Sequence, residues 1–443
     1  LCRLCVQDGT IRRKRVEENW KMEIKSWEQR YECIVVGGGT AGFAAAVTAA
    51  KSGVKTLLIE ERGSLGGTAT GARIGQLMGF AAGEDRAEKK GIVKEILERL
   101  MSEGGSNGIE TIYLCGDPDL DVAVIPYDPE IMKNVMEDMV FESGADILLH
   151  TRVIGTETNG SKIEAVLIHN QEGIQRIYAD TVIDASFHAS VAADAGCRWK
   201  AGNEKGQLQP GTLMYEMGGV DAERWAKVPQ KEKRELAEQG LKEGRLYVNN
   251  LLARPLPNGI YYCNMSRIQV NPLDTLQWSR AEYEARKQVK GISRFFQEHV
   301  PGFEQAHLTA TGEFTGLRDS RRIMGNYVLT NEDVLNGTEF EDAVAKSSYP
   351  IDIHDTNGVS STIIKPKTGV FFIPYRSMVT DACKNLILAG RCISTEYEAH
   401  ACIRVMITCI RLGEAAGRAA YYCREQGVDA ASLDGRILKQ ELL

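Results

Sequence analysis

Apolar and polar positions divide the chain into a featureless lead-in and a strongly patterned body. Residues 1–30 are charged and hold no uninterrupted apolar run, and Arg12-Arg13-Lys14-Arg15 reads as solvated surface. At Tyr31 the pattern sharpens. Cys33-Ile34-Val35-Val36 is a short unbroken apolar run, as expected of a strand buried on both faces. A glycine turn from Gly37 to Gly42 follows, then an alanine-rich stretch, Phe43 to Ser52, that predicts a helix. Gly53 stops it, and Val54-Lys55-Thr56-Leu57-Leu58-Ile59 reads as a second strand. Strand, helix and strand in this order predict a βαβ unit and hence a parallel sheet.

Further along, residues 86–100 carry a charged amphipathic helix pattern, and 129–142 another that opens at Asp128-Pro129. Three extended segments, 147–156, 163–169 and 174–184, are separated by the turn dipeptides Asn159-Gly160 and Glu172-Gly173. That punctuation predicts an antiparallel meander. Residues 221–246 and 278–299 read as helices, and Tyr349 to Asp355 alternates apolar and polar like a strand. Asn385 to Ala389 is a late buried strand ending at Gly390, ahead of one long small-residue helix from Cys402 to Glu425. No internal repeat or interdomain linker is evident. The fold class is α/β.

Composition narrows the function classes. A length of 443 residues suggests roughly two to three domains. Fifty-three Lys and Arg against 60 Asp and Glu leave a net charge of −7, the wrong balance for a general nucleic-acid binder. No apolar stretch reaches the ~18 residues of a membrane helix, and no secretion signal is evident. Eleven scattered cysteines, an odd number, fit a reducing compartment, so a cytoplasmic location is expected. Cys2-x-x-Cys5 has no second pair at ligand spacing, so no metal site is expected.

The strongest chemistry is Gly37-Gly38-Gly39-Thr40-Ala41-Gly42, with Glu60 ending the next strand 21 positions after Gly39. This is a dinucleotide fingerprint in its proper context. Gly37 makes the turn, Gly39 lets backbone approach a pyrophosphate, and Gly42 permits close packing of helix on strand. The helix start at Thr40 and Ala41 offers N–H groups and a positive dipole end to phosphates. Glu60 is placed to accept from ribose hydroxyls. Glu61-Arg62-Gly63-Ser64-Leu65-Gly66-Gly67-Thr68 adds a second glycine turn that a simple nicotinamide dehydrogenase does not need, and no second G-x-G-x-x-G exists. One dinucleotide, FAD, is the better count.

On these residues, and on Tyr127–Glu130, Gly316–Val334, Ser348–Asp355 and Asn385–Gly417, the chain resembles FAD-dependent oxidoreductases. These have the glutathione-reductase-like flavoprotein fold, near the fumarate reductase and succinate dehydrogenase flavoproteins. The resemblance runs from about residue 31 to the end. It implies a discontinuous FAD-binding domain, 31–200 and 376–443, with the antiparallel meander and a helical insertion at 81–127. A substrate or cap domain at 201–375 and a polar extension at 1–30 complete the expected organisation. It further implies cofactor contacts at Gly37, Gly39, Thr40, Ala41, Gly42, Glu60, Glu61, Arg62, Gly66, Gly67 and Thr68. Later contacts fall at Val153, Ala185, Gly390, Arg391, Val405 and Met406. The family usually has a glycine and an acid after the strand ending in Asp184. Here the turn reads Ala185-Ser186-Phe187-His188-Ala189-Ser190.

No cysteine pair or histidine follows Gly67-Thr68, so neither dithiol chemistry nor a histidyl-linked flavin is indicated. Cys402 and Cys409, seven apart, read as packing residues on one helix face. Four residues are candidates for acid–base or anion work: Arg318, His354, and His400 with Arg404 four positions on. A hydride exchanged with flavin needs a partner group to move the proton. The expected activity is hydride exchange between a small organic substrate and non-covalently bound FAD. An FAD-binding electron-transfer subunit, docking its partner through residues 1–30, and a monooxygenase-like enzyme stand as alternatives. An electron-transfer partner and a homo-oligomer are left open.

Overall fold

The computed structural model describes residues 24–27, 29–80, 90–114, 117, 119–355 and 359–443. The Cys2/Cys5 pair, the basic run, Cys115 and residues 86–89 of the expected helix lie outside them, as does most of the 1–30 extension. The predicted βαβ unit is present as β1 (Tyr31–Val36), α1 (Thr40–Lys51) and β2 (Thr56–Ile59). Next come α2 (Pro129–Ser143), β3 (Asp146–Leu148), β4 (Arg152–Asn159), β5 (Lys162–Asn170) and β6 (Gly173–Asp184). Asp128 caps α2 by accepting from the Glu130 N–H at 2.9 Å, with Pro129 in the first turn.

The segment expected as one strand over 147–156 divides in two. His150 turns the chain at φ +51°. β3 then joins β2 in parallel, while β4 opens the meander against β5. β6 is long enough to belong to both assemblies. Gly173 to Tyr178 pairs with β5, and Ala179 to Asp184 runs parallel to β1 on one side and to β7 (Cys383–Leu388) on the other. The parallel sheet orders as β7, β6, β1, β2, β3. Cys33, Ile34 and Val35 at its centre are fully buried, which is why their run does not alternate.

The expected single helix from Cys402 to Glu425 is instead two, α3 (Tyr397–Ile403) and α4 (Met406–Gln426). β-branched Val405 adopts an extended backbone at ψ 148°, and the Cys409 thiol caps the freed carbonyls of Ile403 and Arg404 at 3.6 and 3.5 Å. Cys402 and Cys409 therefore sit on different helices. α4 lies against α1 with almost no gap. A methyl built on Gly413 would stand 2.0 Å from the Ala41 carbonyl oxygen, and one on Gly417 2.4 Å from that of Ala45.

A second core is built on the antiparallel sheet Ala253–Pro255, Tyr261–Cys263, Tyr215–Gly218, His307–Thr311. The helix Thr275–His299 covers it through Ile292, Phe295 and Phe296. The helix expected over 221–246 is split by Pro229 into Ala222–Ala226 and Gln230–Lys242. Residues from Ile323 to Ile373, expected with the 201–375 segment, share the first core. The 81–127 insertion is not helical alone. Beside the helix Gly91–Ser102 it supplies the strands Glu110–Tyr113 and Asp121–Pro126; the second lies between the first and Gln76–Met78 and pairs with both.

Two adjoining cavities and the candidate active site

The glycine turn opens onto a cavity of about 210 Å³. Gly37 takes φ +96°, and a side chain there would strike the Ala185 carbonyl at 2.9 Å. Gly42 has the same purpose from the helix side, since a methyl on it would lie 1.8 Å from the Gly37 carbonyl oxygen. Gly39 differs. Nothing stands within 4 Å of a methyl built on it. The bareness of Gly39 faces the cavity, not the protein, and α1 starts there with no side-chain cap. Open N–H groups beside an unobstructed backbone fit a pyrophosphate. Glu60, 5% exposed, accepts from the Gly38 N–H at 2.6 Å and the Arg62 N–H at 2.9 Å. Burial raises its pKa, against the pull of those two N–H groups.

The second glycine turn closes against the first. Gly66 N–H donates to the Gly38 carbonyl at 2.8 Å, so the two turns lie side by side. Of the expected cofactor residues, Gly37, Gly39, Thr40, Ala41, Glu60, Glu61, Arg62, Gly67, Thr68, Val153, Ala185, Gly390, Arg391 and Met406 line this cavity. Gly42 and Gly66 shape it from behind, and Val405 faces the neighbouring cavity instead. These residues fit FAD.

The unusual turn after β6 is held from within. Asp184 is completely buried and accepts from the Ser186 N–H at 3.0 Å, the Ser186 hydroxyl at 2.6 Å and the Ala192 N–H at 2.8 Å. Ala189 takes φ +50°, a left-handed position that a glycine would fill without strain. Phe187 faces the cavity with the Arg391 guanidinium 3.6 Å over its ring. His188 meets the Ser320 hydroxyl at 2.9 Å and the Trp278 ring at 5.3 Å. Trp278, Phe314 and Thr151 also line the cavity; no motif marks them.

A second cavity, also about 210 Å³, shares Thr68, Leu317, Arg391, Arg404 and Met406 with the first. Three of the four catalytic candidates, Arg318, His354 and Arg404, line it; His400 lines neither. His400 is 1% exposed on the inner face of α3, and burial, then the charges of Arg322 and Arg404, hold it neutral. The strand Ile351–His354 brings Asp352 with His354. Asp352 accepts from the Tyr349 hydroxyl at 3.1 Å, while its carboxylate lies 3.5 Å from Arg404 and 3.6 Å from His354 Nε2. His354 Nδ1 meets the Ser361 hydroxyl at 2.8 Å. Burial foremost, then the charges of Arg318, Arg267 and Arg404, push His354 well below its ordinary pKa. Arg318 and Arg267 both donate to the Thr212 hydroxyl at 3.0 Å. Arg267 and Thr212 escape sequence reasoning altogether.

Residues 32–442 match the model of a family described as FAD dependent oxidoreductases. The chain belongs to that family. Its cofactor is FAD. Protein FixC of Salmonella typhi is 25% identical over 173 residues, 34% of this chain, and the match spans only 39% of FixC. Dihydrolipoyl dehydrogenase of Trypanosoma brucei brucei is 55% identical over 38 residues, 9% of this chain and 8% of that enzyme. Among solved structures, flavin-dependent brominase Bmp2 superposes with a TM-score of 0.50 at 13% identity, covering 94% of this chain and 83% of that one. That last likeness is one of fold. Among the described residues no helix is long and apolar enough to cross a membrane.

Proposed function

We propose that this FAD-dependent oxidoreductase exchanges a hydride with a small organic substrate held in the second cavity. One observation carries the proposal. The two cavities share a wall, and Arg267, Arg318, Asp352 and His354 line the one that lacks the glycine turns. A cofactor-only electron-transfer subunit has no need of such a chamber.

Bound FAD supplies the two-electron chemistry, taking a hydride from the substrate or returning one. The protein manages the proton and the charge. His354, neutral in its buried place, takes the substrate's proton in the oxidising direction and gives it back in the other. Ser361 fixes the imidazole at Nδ1 and leaves Nε2, 3.6 Å from the Asp352 carboxylate, to carry the proton, and the Arg404 guanidinium donates to the Asp352 carbonyl at 3.0 Å, holding that strand against the α3–α4 break. Arg404 and Arg391, on the common wall, place positive charge where negative charge develops. Arg318 holds the substrate.

Anaerobic bleaching of the flavin against a metabolite panel tests the reading. Reduction by a small molecule at turnover rates supports it. A flavin that none of the panel reduces, but that a protein partner does, overturns it in favour of electron transfer. A reduced flavin that oxygen reoxidises with hydroxylation of the substrate favours a monooxygenase.

A further inference from the structure

The lining of the second cavity has two characters. Arg254, Arg267, Arg318, Arg391 and Arg404 contribute five cations, and Asp352 is the one carboxylate among the lining residues. That carboxylate is already engaged by Arg404, His354 and Tyr349. Arg318, 8% exposed, donates only to the Pro210 carbonyl and the Thr212 hydroxyl. Arg391 donates to the Leu317 carbonyl. Neither forms an ion pair with a carboxylate among the described residues. A buried guanidinium with dipoles but no counter-charge is costly unless an anion comes to it.

The remaining wall is apolar. Ile74, Met214 and Tyr262 pack as one cluster. The small sheet adds Met78 and Ile112 with Leu114 beyond, and Leu252 completes the surface. Thr212, the hydroxyl shared by both arginines, and Met214 are two residues apart in extended chain and both line the cavity. At the rise of an extended backbone this sets the apolar wall about 7 Å from the cationic end.

We infer that the substrate is an organic acid with an apolar body, its carboxylate on Arg318 and Arg267 and its aliphatic or aryl portion along the Met214 wall. This rests on the second cavity being the substrate chamber. A carboxylate suits the guanidinium fork in two parallel hydrogen bonds. A single negative charge suits a chamber where Asp352 repels a dianion. A dicarboxylate would force its second charge onto the apolar wall.

The FAD-loaded, full-length protein tests this with matched probes: octanoate and 3-phenylpropanoate, their amides, acetate, succinate and octyl phosphate. Binding is followed by thermal melting and by the flavin difference spectrum. The expected result is that the two apolar acids bind about tenfold or more tightly than their amides, and more tightly than acetate or succinate. Arg318→Gln should erase the preference of acid over amide while keeping FAD content and amide affinity. Amides binding as well as acids, acetate or succinate as well as octanoate, or octyl phosphate more tightly than octanoate would each overturn the inference. The matched pairs in the unaltered protein decide even where the variant fails to fold. Acids that raise the melting temperature with the expected preference yet leave the flavin spectrum unmoved would uphold the ligand class and sink the redox reading. An uncharged molecule that reduces the flavin at turnover rates would do the reverse.

Discussion

The two cavities are equal in size and opposite in construction. The cofactor cavity is framed by glycines: Gly37, Gly39, Gly67 and Gly390 bring main-chain atoms to its surface, beside side chains such as Glu60, Arg62 and Arg391. The second cavity is made of side chains sent in from Thr68 to Met406 along the chain, with arginines and a histidine deciding its chemistry. Backbone sites fail when something is added. Side-chain sites fail when something is taken away.

The largest effect should come from adding to the first. Gly39→Val places its side chain where the fold leaves open space, so the protein should fold with near-normal melting in the FAD-free form and yet retain no flavin through gel filtration. A yellow variant with full flavin content would show that the cavity's ligand does not lie against Gly39, and the contrast between the two sites would collapse.

Taking away from the second should leave the flavin in place. His354→Ala is expected to keep bound FAD and its melting temperature while slowing the reductive half-reaction by roughly 10²–10⁴-fold, measured anaerobically by stopped flow. An unchanged rate would return His354 to a structural role. Arg404 is the sharper case because it lines both cavities. Arg404→Ala should slow reduction in the same range and, unlike His354→Ala, shift the flavin spectrum as well. Arg318→Ala should act more gently, raising KM with kcat nearly unchanged if it only holds the substrate. A fall in kcat alone would move Arg318 into the chemical step.

The smallest effect is on stability against pH. Burial and the Arg391 charge push His188 down to about 3, and His354 and His400 also lie well below 6.5. In the unfolded chain each takes a proton near its ordinary 6.5. Below that point the unfolded state binds more protons than the fold, so stability falls on acidification. Asp319, raised by burial to about 6, opposes the loss once the pH passes through that value. The decline should therefore set in near pH 6.5 and continue below it, Asp319 offsetting only one of the three histidines' protons below about pH 6. Thermal melts of the Gly39→Val protein, which lacks the cofactor's charge, should show it, and His188→Asn should make it shallower. A flat profile would mean that the histidines are protonated in the fold.

The same contrast explains what the sequence revealed. Gly37 to Gly42 and Glu60 are legible because one βαβ unit places them locally, the glycines by their backbone and the Glu60 carboxylate at the end of the next strand. Val153, Gly390, Arg391 and Met406 came only through resemblance, since nothing in their own neighbourhoods marks them. Arg267 and Thr212 stayed hidden: an arginine and a threonine carry no pattern until tertiary folding sets them together. His400 and Arg404 share the spacing of one helix face in the sequence, yet His400 is buried and lines neither cavity while Arg404 lines both, a difference set by tertiary packing that no local pattern carries.

The glycine contacts between α1 and α4 carry a mechanical consequence. Both helices begin at the cofactor cavity, yet they touch closest at Gly413 and Gly417, the latter roughly 16 Å along the axis from Met406. They act as two struts bolted together from the cavity wall, where Gly413 meets Ala41, to a point deeper in the fold, where Gly417 meets Ala45. A single methyl at Gly417 would be a shim in that joint, splaying the ends that frame the flavin without touching it. In the proposed substrate chamber the Met214 wall is built of apolar side chains, each exchangeable for another of similar volume. The strut joint has no such latitude, since any side chain larger than hydrogen at Gly413 or Gly417 meets backbone.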